Sequence, residues 1–264
     1  MIGMALGLVL GIAIPVLLAW WLVEKYHARW STILIGAATF FVFALVLEAL
    51  VHRIVLMGPH GAAIQGNPLY LALYGGLMAG LFEETGRFLS MKFLLKKEPS
   101  TTLPGIAYGV GHGGMEMLIL FGITMAIYLV IAVLSNAGRM DLLLSTAPAE
   151  GQEQVNATVK AIAETSPGSL LLGLWERFSA LILHLSLSVL VWAAVRKGGK
   201  WLWLFPAAIL LHALVDALAV MLKDNVNMAV LELIVLAVAL AVAAIAFMVS
   251  RKCFTFATDK PENN

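Results

Sequence analysis

Seven apolar runs, each long enough to cross a bilayer, succeed one another along the chain at 2–23, 31–52, 69–95, 104–134, 169–195, 201–222 and 228–249. A spanning helix needs about 20 predominantly apolar residues, and in hydrocarbon every backbone N–H and C=O must be satisfied internally, so runs of this length and spacing read as helices. The reading is therefore an all-α, polytopic transmembrane helical bundle of about seven spans, forming a single integral membrane domain over 1–264. Composition agrees, since 61% of the residues are hydrophobic and 12% charged, against about 25% charged in a soluble domain. The formal net charge of +1 gives no basis for nucleic-acid binding, and the lipid bilayer is the expected surrounding. The single cysteine, Cys253, excludes an internal disulfide framework.

The first run lacks a basic stretch before it and a small-residue cleavage site after it, so it reads as a retained helix and not a signal peptide. Its Gly3, Gly7 and Gly11 recur at the spacing that lets helix backbones approach closely in lipid. Orientation follows from Lys and Arg, which favour short cytoplasmic loops. Lys25, Arg29, Lys92, Lys96, Lys97, Arg196, Lys197, Lys200, Arg251, Lys252 and Lys260 fall on one side, and only Arg53, Arg139, Lys160 and Lys223 on the other. This count predicts an external N-terminus, a cytoplasmic C-terminus, an external polar loop over 135–168 with a short surface helix, and residence in a bacterial cytoplasmic membrane. The 53–68 segment is too irregular to span.

The informative residues are the ionisable ones inside the spans, because each costs on the order of 3 kcal/mol at the bilayer centre and is a functional-site candidate by default. The third span carries Glu83, Glu84 and Arg87, the fourth His112 and Glu116, the fifth Glu176, Arg177 and His184, and the sixth His212 and Asp216. Glu83 with Arg87, His112 with Glu116 and His212 with Asp216 are spaced i, i+4, which places each pair on one helix face. At 1.5 Å per residue from the cytoplasmic ends, Glu83 lies roughly 15 to 18 Å deep, His112 about 12 Å, and His184 and His212 about 16 Å. Four helices thus present polar groups at one level. Arg87 is expected to neutralise Glu83 or Glu84, since an unpaired buried charge is costly. Glu48, Glu176 and Arg177 come out near the external edge and read as interface or helix-packing charges, and His52 and His60 carry no site argument.

Imidazoles and carboxylates at one depth are the ligands of a zinc-type site, with a further glutamate free to act as base on water. The same residues without metal can run acid/base hydrolysis. Gly109, Gly111, Gly113 and Gly114 around His112 allow close approach of either a neighbouring helix or an extended substrate.

These motifs resemble those of the CAAX-protease and bacteriocin-processing intramembrane protease superfamily, which includes PrsW-like proteases. In particular, YGVGHGGME at Tyr108 to Glu116 resembles the YhfC branch of intramembrane metalloproteases. On this resemblance, Glu83 and Glu84 match the diglutamate, Arg87 its closing basic residue, Glu116 the PrsW-type FxxxE glutamate, and His212 with Asp216 the HxxxD motif. Two departures stand out. EETGR is one residue shorter than EExxxR, turning the basic residue about 100° around the helix, and His112 replaces the phenylalanine, which favours a metal. The resemblance implies an intramembrane peptidase acting on a membrane-embedded or membrane-adjacent peptide. Expected metal ligands, for zinc or another divalent ion, come from His112, Glu116, His184 and His212, with Glu83 or Glu84 as general base and Arg87 and Asp216 orienting. The rival expectation is a proton- or cation-coupled transporter using the same buried layer. A third is a non-catalytic scaffold.

Overall fold

The computed structural model describes residues 1–145 and 149–254, so Lys260 of the charge count and residues 146–148 of the polar loop lie outside the described residues. The chain forms long helices α1 (Ile2–Tyr26), α2 (Trp30–Leu56), α3 (Pro68–Leu94), α4 (Leu103–Asn136), α5 (Ala149–Glu164), α6 (Pro167–Lys197), α7 (Leu204–Leu222) and α8 (Met228–Cys253), and no strand occurs among the described residues. Each predicted span corresponds to one of these helices to within a few residues. Six of them, α1, α2, α4, α6, α8 and α7 with the 3-10 turn Gly199–Trp203 before it, are long and apolar enough to cross a membrane. The helix of the remaining predicted span, α3, is 27 residues long but carries the charged Glu83, Glu84 and Arg87 at its middle.

Local signals set the helix starts. Asn67 caps α3, its side chain accepting from the N–H groups of Leu69 at 2.9 Å and Tyr70 at 3.2 Å, and Pro68 occupies the first turn, where its missing N–H costs nothing. Ser166 with Pro167 does the same for α6, and Asn227 caps α8. The polar loop holds α5, whose Ile162 packs against Met4, Ile131 and Ala132.

Large apolar side chains on the long helices face outward: Leu34 is 62% exposed, Ile54 65% and Leu210 64%. In water each would forfeit much of the roughly 1.5–3 kcal/mol that burial of such a side chain contributes, a loss that does not arise in lipid. The buried centre is α6, where Leu187, Val191, Trp192 and Ala193 are all fully buried. It packs against α3, α4, α7 and α8.

Two backbone approaches bring the polar residues together. A Cβ on Gly111 of α4 would lie 1.8 Å from the Ile33 carbonyl oxygen of α2, and one on Gly36 of α2 would lie 2.2 Å from that of Tyr108. A Cβ on Gly76 of α3 would lie 2.3 Å from the Ala213 carbonyl oxygen of α7, an approach that carries His212 to the diglutamate. Gly109 and Gly113 likewise face α6 and Gly114 faces Pro15 of α1. Of the two roles expected for the glycines around His112, the structure fills the space with helices. The small residues of α1 behave as expected, Gly11 lying against Gly122 of α4.

α2 and α4 each contain a π-helical stretch, Phe41–Glu48 and Met117–Ile123. Such wide turns are frequent at functional sites. Here Glu48 closes the first and Glu116 immediately precedes the second.

Candidate active site

The site begins with one turn of α3. Glu84 and Arg87 are both fully buried, and Arg87 Nη1 donates to both Glu84 oxygens, at 2.5 and 2.7 Å. The pair is spaced i, i+3, so the i, i+4 partner Glu83 is left to face elsewhere. Arg87 Nη2 lies 3.1 Å from His184 Nδ1 of α6. A guanidinium only donates, so that nitrogen accepts, and the His184 proton sits on Nε2, which contacts Glu116 Oε2 of α4.

His212 of α7 points its Nδ1 at Glu84 Oε1, 2.9 Å away. The carboxylate only accepts, so Nδ1 carries a proton, and Nε2 lies 3.5 Å from Asp216 Oδ2. His112 Nε2 meets Glu83 Oε2 at 2.8 Å, while its buried Nδ1 has no hydrogen-bond partner. The three imidazoles stand in a row, with ring centroids 4.9 Å apart from His112 to His184 and 5.2 Å from His184 to His212.

Glu83, His184 and His212 each offer one ligand atom, and the three atoms lie within 4.8 Å of one another. One carboxylate and two imidazoles, all buried, form a donor set suited to a divalent metal, which His184 would join by giving up its contact with Arg87 or with Glu116. Carboxylates also stand behind both rings, Glu84 behind His212 and Glu116 behind His184, the arrangement that orients metal-ligating histidines. Of the expected ligands, His184 and His212 belong to this group. His112 and Glu116 touch it, through Glu83 and His184 respectively.

A cavity of about 700 Å³ opens onto these groups, within the range of ligand sites. Glu83, Glu116, His184, His212 and Asp216 line it; Glu84 and Arg87 do not. Of the three i, i+4 pairs, only His212 with Asp216 is in contact. Glu83 and His112 join each other across helices, and so do Glu116 and His184.

Three residues near the span ends also line the cavity. Arg177 Nη1 donates to Glu116 Oε1 at 2.6 Å, joining α6 to α4, and its Nη2 contacts Glu176. Glu48 lines the same cavity, paired at 3.1 Å with His52 Nε2, whose Nδ1 lies 2.9 Å from the Tyr74 hydroxyl. Glu232 of α8 also lines it and was missed, although it met the criterion that found the others: a carboxylate inside an apolar span.

The sequence profile described as "YhfC intramembrane metalloprotease" matches residues 10–235. A protein of Bacillus subtilis strain 168, named "Uncharacterized membrane protein YhfC", is 35% identical over 239 residues, covering 89% of this chain and 91% of that one. No solved structure matches. The apolar helices and this relative make the chain an integral membrane protein, and the extent of both matches places it in the YhfC intramembrane metalloprotease family.

Proposed function

We propose that the chain is an intramembrane peptidase that hydrolyses a peptide bond of a membrane-embedded or membrane-adjacent substrate. The observation that carries this reading is the meeting of Glu83, His184 and His212, from three helices, on a cavity able to admit water and a peptide segment. A divalent ion such as zinc, held by these three residues, would supply Lewis-acid polarisation of the scissile carbonyl.

The chain's own residues do the rest. Glu83 has two oxygens, so it can serve as a ligand through one and take a proton from the attacking water at the other, with His112 Nε2 holding the carboxylate in place. Water's oxygen bonds to the carbonyl carbon, the C–N bond breaks, and the proton held at Glu83 passes to the departing amine. Glu84 is not assigned to the water, because Arg87 and His212 occupy its oxygens; it orients His212. Arg87 orients His184 and Glu84 together. Asp216, beside His212 Nε2, is left to steady that ring or the water. The family match favours this reading over a coupled transporter.

The test is to purify the protein, measure bound metal by elemental analysis, and follow cleavage of a fluorogenic membrane peptide. His184→Ala and His212→Ala are expected to lower bound metal below about a tenth per chain, and Glu83→Gln to reduce cleavage by about 100-fold or more, the contribution typical of positioned acid–base groups. Full cleavage at negligible metal would remove the metal from the reading. Full cleavage by Glu83→Gln would remove the glutamate.

A further inference from the structure

Six carboxylates line the cavity: Glu48, Glu83, Glu116, Glu176, Asp216 and Glu232. Five have a basic partner within the protein. His52 serves Glu48, His112 serves Glu83, Arg177 serves both Glu116 and Glu176, and His212 lies by Asp216. Glu232 is the exception. It is 5% exposed, and its buried Oε2 has no hydrogen-bond partner.

A buried carboxylate oxygen without a donor is costly, and the cost is relieved by an opposite charge more than by any neutral group. The neighbouring cation cannot supply one, because Arg177 is already held by Glu116 and Glu176. Lys223, at the α7 end of the cavity, is exposed and free to reach water with its long stem. The missing partner can, however, enter through the cavity.

Resting on the peptidase reading above, we infer that Glu232 forms a subsite for a basic side chain, Lys or Arg, of the peptide substrate. Glu232 lies one turn from the start of α8 and lines the cavity together with Glu176 and Arg177 from the first half of α6, which gives its approximate level. From Arg177 to His184 is seven residues of helix, about 10 Å. An extended peptide covers that distance in about three residues at roughly 3.3 Å each. The subsite therefore selects a basic residue about three positions from the scissile bond, on the side toward the α7–α8 connection. An apolar cavity wall carries the hydrophobic remainder of the substrate, with Leu183, Val215 and Leu231 among its residues.

The experiment uses the full chain in nanodiscs of zwitterionic lipid and two fluorescent leucine-rich transmembrane peptides that differ only in one lysine or norleucine near one end. Binding is read by anisotropy and cleavage is scored separately. The wild type is expected to bind the lysine peptide at least about tenfold more tightly, as a desolvated charge pair allows. Glu232→Gln should bind the norleucine peptide as the wild type does and reduce the lysine preference to less than about twofold, while Glu232→Asp keeps part of it. The subsite is overturned if the wild type shows no preference, binding of neither peptide included, or if the preference survives in Glu232→Gln. Should Glu232→Gln fail to fold, an undiminished preference in Glu232→Asp overturns it equally. A preference that follows Glu232 without any cleavage would leave the subsite standing and refute the peptidase. Cleavage without the preference would do the reverse.

Discussion

Replacing Arg87 by methionine is the sharpest probe of how the buried charges are held. The side chain is fully buried at the middle of α3, donates to both Glu84 oxygens at 2.5 and 2.7 Å, and reaches His184 Nδ1 at 3.1 Å. Arg87→Met keeps a long apolar stem but removes every donor. Breaking a buried pair from one side costs about 3–5 kcal/mol, because the remaining charge is stranded. The lost hydrogen bond to His184 adds about 1 kcal/mol. His212 still donates to Glu84 and offsets part of this, so a net loss of about 4 kcal/mol is expected. Adding Glu84→Gln removes the stranded charge, and the double variant should recover about 2 kcal/mol relative to Arg87→Met alone, the non-additivity of residues in one network. The assay is equilibrium unfolding from mild detergent into SDS, followed by the fluorescence of the seven tryptophans and by helical circular dichroism. A single variant within about 1 kcal/mol of the wild type, or a double variant equal to the sum of its singles, would refute the buried pair as the organising contact.

Two further outcomes test the packing around the site. Gly111→Ala places a Cβ 1.8 Å from the Ile33 carbonyl oxygen, whereas Gly75→Ala meets nothing within 4 Å. In the same unfolding assay the first should lose about 1–3 kcal/mol or more from overpacking, and the second should gain about 0.5–1 kcal/mol from helix propensity. Equal effects would mean that α2 and α4 do not cross there. Leu210, 64% exposed on α7, should tolerate alanine with a change within about 0.5 kcal/mol, as surface positions do. Leu210→Arg should cost about 2.5–3.5 kcal/mol of insertion, seen as a drop in membrane-integrated protein. Normal integration of Leu210→Arg would place that face away from lipid.

Hydrophobic length alone was enough to read the helices, because a bilayer imposes one minimum length on every span and leaves few alternatives. The same argument found most of the site: Glu83, Glu84, Arg87, His112, His184, His212 and Asp216 stand out as ionisable groups in apolar runs. Their partners were a different matter. Spacing along one helix paired Glu83 with Arg87 and His112 with Glu116, yet the structure joins Glu84 to Arg87, Glu83 to His112 and Glu116 to His184. Depth along a span can be counted from the sequence, but the rotation of each helix and its distance from the next cannot. Those are set where backbones touch, at Gly36 against Tyr108, Gly111 against Ile33 and Gly76 against Ala213. The same contacts decide which of two adjacent glutamates meets the cavity and which is sealed behind an arginine. Helix packing also puts the edge residues Arg177, Glu48 and Glu232 onto the cavity wall, since a charge near a span's end can still point inward when the helix that carries it lines a cavity.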